Sequence, residues 1–216
     1  MPKDVAIIGL GRFGTSLAKT LQQMGANVMG IDLHEERVNG LANVLTQVVQ
    51  ADATDEHVVK ELGLRNCDTV VVAIGSNVSA SLLITVMLKD IGVKNIISKA
   101  SSDLHGRALK LVGADRVVFP ERDMGVRIAK YLVSPNLLEY IELSREHSII
   151  EVTAAGFLVG KTLRQLDLRN RYDANVIAYR RGNRMNLAPR ADDTIEEGDV
   201  LVLVGRNEGL DKLQSK

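Results

Sequence analysis

The chain has 216 residues, 45% of them hydrophobic and 25% charged, a balance that belongs to globular proteins and excludes a disordered tail or a fibre. Its 27 Lys and Arg offset 27 Asp and Glu, so no excess charge favours a nucleic-acid partner. The single Cys67 allows no intrachain disulfide and suits a packing role in a reducing compartment. No apolar run approaches the ~20 residues of a membrane helix, and no signal-peptide pattern precedes the first strand.

Short β-branched runs alternate with helical patterns from Asp4 to about Arg122: "DVAII", "NVMGID", "TQVVQ", "DTVVVAI", "NIISKA" and "DRVVF". Runs that are apolar almost throughout, with helices between them, predict an α/β fold with a Rossmann-like doubly wound parallel sheet. In the first helix Phe13, Leu17, Leu21 and Met24 recur at near-helical spacing and are expected to face the core, with Arg12, Ser16, Lys19 and Gln23 on the polar side. Gly25 is placed to close that helix. "SLLITVML", from Ser81 to Leu88, is apolar nearly all round, which fits a deep central helix or one covered by another subunit.

Pro120 opens a further helix whose stripe is Met124, Ile128, Tyr131 and Leu132, and Pro135 ends it. The domain boundary is expected there, giving domains 1–135 and 136–216. Beyond it, "SIIEVTA", "NVIAYRR", "RMNLAP" and "DVLVLVG" read as short strands, with turns at Gly156, Gly182 and Gly198. "KTLRQLDLRNR" reads as one or two helical turns, completing a small α+β C-terminal domain.

Gly9, Gly11 and Gly14 form G-x-G-x-x-G directly after the first strand. The three serve a tight turn, close approach of phosphate to backbone, and close helix-on-strand packing. The following helix N-terminus attracts the anion. Asp32 closes the second strand about 20 residues further on, where an acidic residue bonds ribose hydroxyls and repels a 2′-phosphate, favouring NAD or an adenosine phosphate over NADP. Asp52 and Ala53 in "ADAT", and Gly75, Ser76 and Asn77 in "AIGSN", fall at the same carboxyl edge of the sheet. Asp52 and Ser76 fit helix caps equally well.

Machinery to consume a nucleotide is missing from the pattern. His34, His57, His105 and His147 show no metal spacing and read as solvated or capping residues, and there is no Walker lysine, G-x-S-x-G or paired-cysteine motif. No catalytic residue is expected. A nucleotide sensor accounts for this better than the alternative, a small NAD-dependent oxidoreductase, for which the second domain offers little room.

Taken together, "GLGRFG", the Asp32 strand end, "ADATD", "AIGSN", "VVFPERDMG" and "LAPRADDTIEEGDVLVLVG" resemble the RCK (KTN) gating subunits of bacterial Ktr and Trk potassium-uptake systems, the Ktr-type cytosolic subunit above all. The resemblance covers the whole chain, an RCK domain followed by a TrkA-C domain. It implies homodimers assembled into an octameric ring on the cytoplasmic face of a membrane potassium translocator, with ATP and ADP favouring different ring shapes. It also implies that Arg12 reaches the terminal phosphate of a nucleotide held by the neighbouring subunit, and that Phe13 belongs to the same turn. Lys99 is implied near the phosphates, and Glu121 as a ligand to Mg2+ or another cation between paired nucleotides. The helix from Pro120 resembles the family's crossover segment, which packs on the partner protomer. Some relatives bind cyclic di-AMP in the C-terminal domain, and Arg169 and Asn175 fall in the matching stretch, although Ala174 departs from the histidine of some binders.

Overall fold

The computed structural model describes residues 3–215. Among them, β1 (Asp4–Ile8), β2 (Asn27–Asp32), β3 (Gln47–Gln50), β4 (Thr69–Val72), β5 (Ile96–Lys99) and β6 (Arg116–Val118) form one sheet in the order β3-β2-β1-β4-β5-β6. Every pair is parallel. The order reverses between β1 and β4, and that switch point opens a crevice at the strands' carboxyl ends. Five helices connect the strands: α1 (Arg12–Gln23), α2 (Glu35–Asn39), α3 (Glu56–Glu61), α4 (Val78–Asp90) and α5 (Asp103–Leu111).

Helices on both faces explain why these strands are apolar along their length. Ala6, Ile8, Ile31, Val70 and Val72 belong to one core cluster, and Val5, Ile7, Val28 and Val71 to another on the opposite face. Cys67 packs in the first cluster at 8% exposure. In α4, Ile84, Thr85 and Leu88 are buried, and the Thr85 and Ser98 hydroxyls meet at 3.1 Å, which satisfies two polar groups in the dry layer. Leu83 stays 47% exposed, so the fold of this chain alone leaves part of that apolar helix uncovered. Met24 departs from expectation: it lies just past the end of α1 and is exposed, because Gly25, at φ +85°, turns the chain before another helical turn forms.

The chain divides into two compact units between Asp123 and Met124, inside helix α6 (Pro120–Val133). No residue of α6 is buried, and Met124, Ile128 and Leu132 of its expected apolar stripe are exposed; Tyr131 packs against the second unit's core. In the second unit β7 (Leu137–Glu142), β8 (His147–Thr153), β9 (Ala174–Arg181), β10 (Arg184–Asn186) and β11 (Val200–Arg206) form an antiparallel sheet ordered β10-β9-β11-β8-β7. Three short helices complete it: α7 (Leu163–Leu166), α8 (Leu168–Tyr172) and α9 (Asn207–Gln214). Thr162 and Gln165 form a capping box at α7, a device worth about 1 kcal/mol. Strand β7 and helix α9 were not anticipated from the sequence, and of "RMNLAP" only Arg184, Met185 and Asn186 form a strand, paired with β9.

Candidate functional site

A cleft of about 950 Å³ lies at the switch point of the parallel sheet, wholly within the first unit. Of the residues singled out in the sequence, Gly9, Gly11, Arg12, Phe13, Asp32, Asp52, Ala53, Gly75, Ser76, Asn77, Lys99 and Glu121 all line it. Gly14 does not. Its part is packing: a Cβ there would stand 1.9 Å from the Gly9 carbonyl oxygen, so only glycine lets α1 seat against the turn.

The other two glycines divide the work. Gly9 adopts φ +98° and its amide donates to the Ile31 carbonyl at 2.8 Å, which ties the turn to β2. Gly11 precedes α1, and a Cβ built there would touch nothing within 4 Å. Gly11 is the N-cap of a helix that carries no acidic residue in its first turn, the setting in which a phosphate is held. The turn, its open glycine and the helix end therefore fit a nucleotide's phosphates.

Asp32 ends β2 with 5% exposure. Burial would raise its pKa, but hydrogen bonds outweigh that and hold it below the usual carboxylate range. The His34 amide and the His34 ring stand at 2.9 Å, the Leu10 amide at 2.6 Å and Arg37 Nη1 at 3.2 Å. His34 and Arg37 line the cleft too. Sequence pattern missed both, since their part depends on how α2 folds back over the end of β2.

Asp52 is not a helix cap. Its Oδ1 accepts from the Thr54 amide and hydroxyl at 2.9 and 2.6 Å, which lowers its pKa. Nor is Ser76: Asp55 caps α3 and Asn77 caps α4, accepting from the Ala80 amide at 3.0 Å. Lys99 lies along Gly75, with its ammonium 5.7 Å from the Phe13 ring centre, and pairs with Glu121. Arg12 heads α1, exposed, without a hydrogen-bond or ion-pair partner among the described residues.

His105 corrects the expectation of a solvated or capping residue. It is 3% exposed, burial lowers its pKa, and its Nδ1 accepts from the amide of Ser101, a cleft residue, at 3.2 Å. His34, expected to be solvated, keeps an exposed ring but engages Asp32. Among the described residues no group of three or more His, Cys, Asp or Glu comes together to hold a metal. Glu121 by itself cannot make a protein-only cation site. In the second unit Arg169 and Asn175 line a separate cleft of about 490 Å³ together with Arg164 and Arg190.

Residues 5–120 match the TrkA-N domain family and residues 147–216 the TrkA-C domain family. The chain is 47% identical to the Ktr system potassium uptake protein C of Bacillus subtilis (strain 168), over 95% of its own length and 93% of that protein's. It is 41% identical to the Ktr system potassium uptake protein A of the same organism, over 99% and 96% of the two chains. The GsuK channel shares the fold, with a TM-score of 0.70, 20% identity and 99% of this chain covered. A structure described as the GsuK channel bound to NAD gives a TM-score of 0.66 at 20% identity, with 97% of this chain covered. This chain spans 39% and 38% of those two solved chains. No helix among the described residues is long and apolar enough to cross a membrane.

Proposed function

The chain belongs to the TrkA-N/TrkA-C family of the Ktr potassium uptake proteins, and we propose on that footing that it is the nucleotide-sensing regulatory subunit of a bacterial potassium transporter. It binds ATP or ADP, with NAD or NADH as alternatives in the same cleft, and works by binding rather than turnover. Homodimers assemble into an octameric ring on the cytoplasmic face of a membrane potassium-translocating subunit, and the bound nucleotide sets the ring's shape.

The observation that carries this reading is Arg12, exposed at the head of α1 beside the open face of Gly11 and without a hydrogen-bond or ion-pair partner among the described residues. A guanidinium fork makes charge-assisted bonds to phosphate, and a ligand shifts an equilibrium between two shapes only through contacts that differ between them. An arginine that reaches the terminal phosphate of a neighbouring protomer's nucleotide supplies such a difference. Asp32 orients the ribose, and Lys99 faces the phosphates. Glu121 holds Mg2+ or another cation only jointly with phosphate oxygens, since no group of three His, Cys, Asp or Glu comes together among the described residues. The exposed stripe of α6 and Leu83 of α4 supply apolar surface for the partner protomer. In the second unit the arginine-lined cleft with Arg169 and Asn175 suits a dianionic dinucleotide such as cyclic di-AMP.

Calorimetric titration with ATP, ADP, NAD and NADH, paired with native mass measurements with and without nucleotide, tests the reading. Arg12→Ala should lose about 10- to 100-fold in ATP affinity, the worth of a charge-assisted hydrogen bond, and keep its ADP affinity. Equal binding of ATP and ADP regardless of Arg12 removes the sensor. Substrate-dependent NADH turnover would establish the oxidoreductase instead.

A further inference from the structure

The ribose corner of the cleft is already filled by the protein's own donors. Asp32 Oδ2 accepts from the Leu10 amide and from Arg37, and Oδ1 accepts from the His34 amide and meets the His34 ring. A carboxylate offers about four lone-pair sites, so a ribose diol finds no acceptor to spare. Two of the donors are backbone amides and fixed. The other two belong to side chains 47% and 62% exposed, those of Arg37 and His34, and exposed side chains exchange such contacts at little cost. A diol that donates to Asp32 therefore takes the place of Arg37 or of the His34 ring.

Arg37 stays tethered to α2 when its contact is displaced, next to the ribose hydroxyl that an acidic residue at this position receives. Its charge is permanent and its planar fork matches a phosphate. The carboxylate that would repel a 2′-phosphate thus stands beside a cation that attracts one, and the local charges of Asp32 and Arg37 cancel. An acidic residue seen without that neighbour favours a free 2′-hydroxyl; the pair does not.

We infer that Arg37 is the specificity-determining residue of the cleft, binding a 2′-phosphate through its guanidinium, so that the site takes 2′-phosphorylated adenosine nucleotides of the NADP class as well as those with a free 2′-hydroxyl. This rests on the nucleotide reading of the cleft and deepens it. Asp32 serves the unmodified ribose and Arg37 the phosphorylated one.

The test is calorimetric titration of the full chain with AMP, ADP and adenosine 2′,5′-bisphosphate, the first and last differing only in the 2′-phosphate. The wild type should bind AMP and the bisphosphate within about tenfold of each other, and Arg37→Ala should weaken the bisphosphate by about 10- to 100-fold while AMP and ADP, relieved of competition for Asp32, bind no more weakly than to the wild type. Arg37→Lys should restore part of the loss, because a point charge replaces a fork, and His34→Ala should leave the ratio unchanged. A bisphosphate-to-AMP ratio indifferent to Arg37, or rejection of the bisphosphate by a chain that binds ADP, overturns the inference and leaves the nucleotide site standing. If neither ADP nor AMP binds, the nucleotide reading itself fails and takes this inference with it.

Discussion

Lys99 and Glu121 are joined by an ion pair of 2.5 Å at the cleft, the lysine side chain 13% exposed and the glutamate 69%. Hydrogen bonding to Lys99 holds the Glu121 carboxyl below its usual range, with the charge of Arg12 contributing further. A phosphate that draws Lys99 must compete with this carboxylate. In EDTA, Glu121→Gln should therefore raise ADP affinity severalfold, on the order of 1 kcal/mol for a largely exposed partner. The same variant should lose whatever increment Mg2+ gives the wild type. Titrations with and without Mg2+ check both, and weaker ADP binding in EDTA would show that Glu121 aids the phosphates directly.

The glycines of the turn should separate fold from ligand. Gly14→Ala places a methyl 1.9 Å from the Gly9 carbonyl oxygen and should cost several kcal/mol, on the scale of about 1–3 kcal/mol or more for overpacking, read as a large fall in melting temperature. Gly11→Ala meets open space and should melt within a few degrees of wild type, yet lose at least tenfold in nucleotide affinity, because its methyl occupies the phosphate's approach. Normal nucleotide binding by Gly11→Ala would remove the phosphate from that turn.

In the second unit Asp199, 1% exposed, receives Arg181 through Nε at 2.9 Å and Nη2 at 2.8 Å, and accepts the Glu196 amide at 2.8 Å. The Arg181 hydrogen bond holds the Asp199 pKa down despite burial. A carboxylate depressed in the folded state adds stability above its unfolded pKa, which is lost as pH falls through the folded value. Arg181→Ala strands a buried charge and should cost about 3 kcal/mol at pH 7. Its melting temperature should also fall less steeply than the wild type's between pH 5 and pH 3. Parallel pH slopes for the two proteins would mean that the pair carries no linkage.

Asp32 is expected to matter to stability as well as to binding. Asp32→Ala leaves the Leu10 and His34 amides without their 2.6 and 2.9 Å acceptor, a penalty of about 1–3 kcal/mol for each amide that water does not reach. Both ATP and ADP binding should be lost together. Retained ADP affinity with an unchanged melting curve contradicts its role at the ribose.

The parallel sheet was legible because β-branched runs covered on both faces leave little ambiguity of period. Strand β7 was not, since "LLEYIE" mixes Glu139 and Glu142 into an edge strand and matches neither simple alternation nor a continuous apolar run. Helix α9 hides for another reason: Gly209 sits in its first turn because a Cβ there would meet the Tyr172 carbonyl oxygen at 1.7 Å, and a glycine inside the run reads as a helix breaker. At the cleft, the motif residues announce themselves by spacing. His34, Arg37 and buried His105 enter through tertiary contacts between a helix and a strand end or loop, which no periodicity encodes.

Gly9 donates to Ile31 and Leu10 to Asp32, so the glycine turn and the Asp32 corner of the cleft hang from one strand end. A lineage under pressure to change its nucleotide could not simply exchange the acidic residue, because the same substitution would loosen the turn. Variation would be channelled to the solvent-facing neighbours His34 and Arg37, and descendants could diversify in ligand choice while the glycines and the carboxylate stayed fixed.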